Sequence, residues 1–269
     1  MEDVIFLLDI FEDIDTFLLI LLRMVGFIAF MPLFSTQNIP ATIRMLFAVA
    51  FSYMVFITGI YGEATYQFSD NLFGFAWVGV IEFLFGFFMA YVVNITFGLI
   101  FIIGHFMDEA IGFNMVNVMD PLSQMQVAVT GTLLYNLTIV TLIVTGGLNV
   151  ILAAVFQSFE STPLGSPMIF GNEAITIHIM NTMINTFYMG IQIAMPIVGA
   201  GLIVNACLGI LVKATPQMNI FVVGIPIRIM LGLIIFIFVI PAFGAVHDNI
   251  FNQALRTLLE TIAFLTPWG

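Results

Sequence analysis

The sequence predicts an all-α membrane protein, and three observations predict it. Of the 269 residues 61% are apolar and 8% charged, with a mean hydropathy of +1.16, so polar groups are too few to cover a surface surrounded by water. The apolar residues gather into runs long enough to cross about 30 Å of hydrocarbon, which takes about 20 helical residues. Inside the longest runs, small and polar residues recur at every fourth position, the spacing of a ridge on one helix face.

In chain order, the first fifteen residues, MEDVIFLLDIFEDID, hold six carboxylates and no base. A secretory leader needs a positive start, so this stretch is expected to belong to the mature chain. Six candidate membrane-depth helices follow, at 16–34, 43–61, 72–107, 127–156, 175–212 and 226–247. The third and fifth exceed one crossing: about 36 helical residues reach beyond about 50 Å, so these runs tilt, kink or extend out of the membrane. Pro196 is the expected kink, because it removes a backbone donor inside the fifth run. The bases are Arg23, Arg44, Lys213, Arg228 and Arg256. The positive-inside rule places the loops near Arg44 and between Lys213 and Arg228 on the cytoplasmic side, which six single crossings from an outside amino terminus satisfy.

The fourfold rows predict close helix neighbours. Glu82, Gly86, Ala90, Asn94 and Gly98 form one, Gly201, Asn205, Gly209 and Lys213 a second, and Thr141, Thr145, Asn149 and Ala153 a third. Such ridges let backbones approach and hydrogen-bond across the contact, either within one chain or between subunits. Arg23 and Glu82, an isolated base and an isolated acid inside apolar runs, are candidate partners in a buried pair.

Several function classes are excluded or disfavoured. A net charge of -11 leaves nothing to neutralise a row of phosphates, so nucleic acid is not a partner. The single Cys207, in an apolar run, reads as buried filler and rules out disulfide frameworks and cysteine zinc sites. His105, Asp108 and Glu109 cluster in HFMDEA without the spacing of a zinc protease, and the two carboxylates read as a solvated helix end. No nucleophile elbow or phosphate-binding loop is present, and no cofactor is implied. A small-solute transporter needs an inverted repeat or paired broken helices around a charged midplane site. Unlike loops and scarce charge weigh against it.

Two connecting stretches are distinctive. GFNMVNVMDP, from Gly112 through Phe113, Asn114, Met115, Val116, Asn117, Val118, Met119 and Asp120 to Pro121, is neither a span nor a basic anchoring loop. LGILVKATPQMNIFVVGIPIR, Leu208 to Arg228, carries Lys213, Pro216, Gln217, Asn219, Gly224, Pro226 and Arg228. It reads as a hairpin tip: both prolines disfavour helix at the residue before them, Gly224 permits an unusual turn, and the basic ends favour the cytoplasm.

With LLRMVGFIAFMPLFSTQNIPATIR (Leu21 to Arg44) and SFESTPLGS (Ser158 to Ser166), these stretches resemble, in order and over nearly the whole chain, the FliR/SctT family of type III export-gate membrane proteins. The PQMNIFVVGIP wording and the Asn38-Ile39-Pro40 turn look more like the flagellar than the injectisome branch. The resemblance implies helical hairpins, with a FliP-like part over 1–171 and a FliQ-like part over 172–269. It implies a hetero-oligomeric gate of FliP-like and FliQ-like subunits at the centre of the basal body in the bacterial inner membrane, closed by one copy of this chain. Its helices would be partly raised toward the periplasm, and the 213–228 tip would face an FlhB-like switch protein. It implies passage of unfolded flagellar subunits, and a pore plug at about Gly112 to Gln124. The residues suit that role: Ile111, Met115, Val118, Met119 and Leu122 share a helical face, and an apolar constriction excludes ions by dewetting. Met adapts to what passes, and Asp120 before Pro121 stops any helix.

Overall fold

A computed structural model describes residues 14–34, 39–61, 72–113, 128–166, 173–215 and 220–265, and among them every regular element is helical. The helices are α1 (Ile14–Phe30), α2 (Ala41–Thr58), α3 (Leu72–Ile111), α4 (Val129–Val144), α5 (Gly147–Ser161), α6 (Glu173–Ala214), α7 (Ile220–Val239) and α8 (Phe243–Leu265), with a 3-10 turn at Ile240–Ala242 before α8.

The apolar runs become helices, and the departures have local causes. The 17 residues of α1 span only about 25 Å. Arg23, Met24 and Phe27 on it are buried in protein. The fourth run is two helices bent by 72°. Thr145 ends α4, and Gly146 follows at φ 74, a left-handed conformation that glycine adopts without a Cβ penalty. The sixth run breaks at Pro241, which lacks the N–H that would continue α7. Helix α8, beyond that break, begins within the end of the sixth run and continues well past it, to Leu265. α2, α3 and α6 are each long and apolar enough to cross a membrane, and the bent α4 and α5 pair adds at most a fourth span among the described residues, where the sequence predicts six.

The two longest helices are unbroken. α3 has 40 residues and α6 has 42, about 60 Å each, and α6 continues through Pro196. Of the apolar stretch of α3, 56% is buried, against 17% for α2 and 22% for α6. α3 is therefore a core helix, while α2 and α6 turn Leu46, Met54, Ile184 and Ile203 outward, as lipid or an apolar protein neighbour requires.

Two compact units share these helices. The first is drawn from Met1–Ile95, Gly146–Thr182 and Gln253–Gly269, the second from Thr96–Thr145 and Met183–Asn252. In the first, Leu19, Ile20, Met24 and Phe27 of α1 are fully buried, and Phe17 meets Phe56 of α2 edge-on at 5.8 Å. His178 of α6 bonds Thr261 of α8 at 3.0 Å. In the second, Leu99, Ile100 and Ile103 of α3 are fully buried, and Phe101 stacks on Tyr135 of α4 at 4.8 Å.

Candidate functional site

An ion pair anchors the first unit. Arg23 of α1 and Glu82 of α3 are 0% and 1% exposed, and Arg23 Nε donates to Glu82 Oε2 at 2.6 Å. Both terminal nitrogens of the guanidinium reach the end of α5 and the turn after it: Nη1 donates to the Ser158 and Thr162 carbonyls at 3.3 and 3.1 Å, Nη2 to Thr162 at 3.2 Å. The other oxygen of Glu82 accepts the Gly165 N–H at 2.9 Å. Phe85 and Phe159 lie 4.5 and 4.4 Å from the guanidinium carbon. A charge removed from water is tolerated when most of its hydrogen-bonding capacity is met, as here by a carboxylate, helix-end carbonyls and ring faces. The sequence named the two side chains; the carbonyl ligands from Ser158 and Thr162 carry no side-chain signal.

The row beginning at Glu82 packs within this unit. A Cβ added to Gly86 would fall 1.9 Å from the Arg23 carbonyl oxygen, so α1 and α3 touch backbone to backbone. Ala90 is fully buried, and Asn94 Nδ2 donates to the Phe30 carbonyl at 2.9 Å. Gly98, next in the row, has nothing within 4 Å of an added Cβ among the described residues. The second row divides as well: Gly201 packs on Ala110 of α3, Asn205 is half-buried, and Gly209 and Lys213 are exposed, with nothing among the described residues within 4 Å of a Cβ at Gly209. The third row does not form a ridge, because Gly146 bends the chain through it and leaves Thr145, Asn149 and Ala153 exposed.

In the second unit, the ends of α3 and α4 meet. Gly112 ends α3 at φ 93, its N–H and that of Phe113 bonding the Asp108 carbonyl at 2.9 and 3.0 Å. The Asp108 carboxylate, 1% exposed, accepts the Thr130 N–H at 3.0 and 3.3 Å. It is thus a buried helix-to-helix contact and not the solvated end that the sequence suggested, while His105 and Glu109 are exposed. One turn earlier a Cβ on Gly104 would fall 2.0 Å from the Gly131 Cα. Arg228 of α7 lays its side chain on Gly112: a Cβ there would be 2.6 Å from Arg228 Cδ. Asn114, Met115, Val116, Asn117, Val118, Met119, Asp120 and Pro121 lie outside the described residues, as do Pro216, Gln217 and Asn219.

The remaining expectations are corrected locally. Gly224, Pro226 and Arg228 lie inside α7, so no turn forms at Gly224 and Pro226 does not stop the helix. An interior proline costs about 3 kcal/mol, which the long apolar run around it outweighs. Cys207 is exposed, on a face of α6 directed away from the described chain. Among the described residues no three of His, Cys, Asp and Glu converge to hold a metal.

A helical membrane protein with one charge-satisfied core node and glycine-mediated helix crossings is thus defined. Residues 14–254 match the family described as "Bacterial export proteins, family 1", and the chain belongs to that family. It is similar to the flagellar biosynthetic protein FliR of Bacillus subtilis, 26% identical over 266 residues that cover 95% of this chain and 98% of that protein. The FliR of Aquifex aeolicus is 30% identical over 255 residues, 91% of this chain and 93% of that protein. FliR of Escherichia coli is 21% identical over 245 residues, 91% and 92% of the two chains. The chain is accordingly a membrane component of a bacterial flagellar protein-export apparatus.

Proposed function

We propose that this chain is a core subunit of the flagellar type III export gate in the bacterial inner membrane. It closes a ring of FliP-like and FliQ-like subunits, and its residues 112–121 seal the pore against ions until an unfolded flagellar subunit passes. The end-to-end similarity to flagellar biosynthetic proteins carries the first part. The meeting of α3 and α4 at Asp108 and Thr130 supports the second, because it roots both ends of the intervening stretch at one buried point. The 1–171 and 172–269 parts are read as FliP-like and FliQ-like, and 213–228 as the cytoplasmic tip toward an FlhB-like protein; the exposure of Lys213 fits a contact surface there.

The exposed apolar faces of α2 and α6 and the open Gly209 favour protein neighbours in addition to lipid. Affinity purification of the chain from membranes is expected to bring down FliP-like and FliQ-like proteins. A chain that purifies alone in a stable, monodisperse form would speak for a transporter instead. Deleting residues 112–124 is expected to leave that copurification intact and to raise ion leakage through the assembled gate, measured as dye or proton flux across vesicles. A deletion gate as tight as the native one would remove the seal role.

A further inference from the structure

We propose that the first turns of α8 form an acid-sensitive joint: residues 243–252 pack on the second unit only while the imidazole of His247 is neutral, and protonation of that ring releases them beside the turn at Ile240–Ala242. Three observations carry it. First, one narrow stripe holds the segment. Phe243, His247 and Ile250, four and three residues apart on one helix face, are 6%, 3% and 0% exposed, while Gly244, Asp248, Asn249 and Asn252 face outward. Among the described residues no side-chain hydrogen bond or ion pair from 243–252 reinforces that stripe.

Second, the middle member of the stripe is an imidazole whose Nδ1 is buried without a hydrogen-bond partner. The chain itself shuts the ring in, so a neighbouring subunit does not reach that atom. In the neutral ring the unpartnered nitrogen is a lone pair, which costs little. A further proton makes both nitrogens donors, and Nδ1–H then has neither acceptor nor water while the ring carries a charge. Burial accordingly pushes the His247 pKa below the usual imidazole value, and Asp248, exposed and next along the helix, pulls it back only in part. His105, Asp108, Glu109, Lys213 and Arg228, the other charged or titratable bases and acids of this unit, do not act on the ring. Third, the stripe starts at a break. Pro241 cannot continue α7, and Ile240 and Pro241 are exposed, so neither adds a buried anchor there. A segment with few buried contacts beside a break is where local opening costs least.

Proton binding fixes the sign. Packed, the ring holds no second proton; released, it takes one up below about pH 6.5. The packed form therefore has its full stability above that value and loses it as the pH falls. At about pH 5 the released population rises by at most about thirtyfold, the protonation ratio of an exposed ring. The joint belongs to this chain alone and does not depend on the reading of 112–121 as a seal.

The test follows amide deuterium exchange by mass spectrometry in the gate assembled with its partner subunits, corrected for the pH dependence of the exchange chemistry. Between about pH 8 and about pH 5, residues 243–252 are expected to lose protection severalfold, up to about thirtyfold, while 129–144 of α4 stay as they are. His247→Phe, which keeps a buried ring and takes up no proton, should be equally protected at both ends of that range. His247→Gln, also neutral throughout, replaces it if the phenylalanine chain does not assemble. The His247 ring itself, followed by NMR in a chain with isotope-labelled histidine, should titrate below free histidine. Unchanged native protection over 243–252, the same pH response in the neutral variant, or a ring that titrates at or above free histidine overturns the inference. Loss of protection in α4 in step with 243–252 overturns it in favour of general acid unfolding.

Discussion

Replacing Arg23 with methionine, or Glu82 with alanine, is expected to deplete the protein from the membrane, and replacing both with methionine is expected to be less damaging than either. Each single change leaves one charge buried among Phe85, Phe159 and apolar helix faces with no counter-ion, a loss of about 3–5 kcal/mol. Folded domains hold about 5–15 kcal/mol in total, so such a loss leaves a substantial unfolded fraction for proteolysis. The loss also reaches the backbone. Without the guanidinium the Thr162 carbonyl loses its side-chain donors and the Ser158 carbonyl keeps only the Thr162 N–H, and without the carboxylate the Gly165 N–H loses its acceptor, so α5 and its trailing turn come loose from α1 and α3.

Glu82→Gln should be intermediate, since an amide oxygen still accepts from Arg23 or Gly165 while the charge is gone. The measurement is steady-state level in membranes together with the melting temperature of the detergent-solubilised chain. Arg23→Met at native level and native melting temperature would show that the pair does not anchor the unit.

That pair was legible because it consists of side chains. An isolated base and an isolated acid within apolar runs have few partners other than each other, and α1 and α3 bring them to 2.6 Å. The long apolar helices were legible from composition: α2, α3 and α6 end within a few residues of their apolar runs. The misses have other causes. α8 alternates Ile250, Ala254 and Leu258 on a buried face with Asp248, Asn252 and Arg256 on an exposed one, so a count of consecutive apolar residues passes over it. The break at Gly146 rests on one positive φ, which a glycine permits without announcing. Pro226 was read by its local preference, and the helix of apolar residues on both sides of it overrode that preference. Asp108 looked solvated because its partner is a backbone amide 22 residues away, which has no signature in composition.

The helix glycines divide into those already in contact and those that are not, and alanine substitution is expected to sort them. Gly86→Ala drives a methyl to 1.9 Å from a carbonyl oxygen of Arg23, and Gly104→Ala drives one to 2.0 Å from the Gly131 Cα. Both obstacles are backbone, so no rotamer change relieves them and the helices must separate, at a cost of about 1–3 kcal/mol or more. In Gly86→Ala that separation also pulls Arg23 away from Glu82, so its effect should exceed that of ordinary overpacking. Gly98→Ala and Gly209→Ala meet nothing within 4 Å among the described residues and replace the poorest non-proline helix former with the best. The isolated chain should melt at the same temperature or slightly higher, by about 0.5–1 kcal/mol of stability. Gly209 is exposed in a row whose earlier member, Gly201, is packed on Ala110. If a partner subunit covers that continuation, Gly209→Ala should leave the chain's own melting temperature intact while lowering the amount of FliP-like and FliQ-like protein that copurifies. Equal copurification from Gly209→Ala and the native chain would confine the small-residue seam to the interior of this chain.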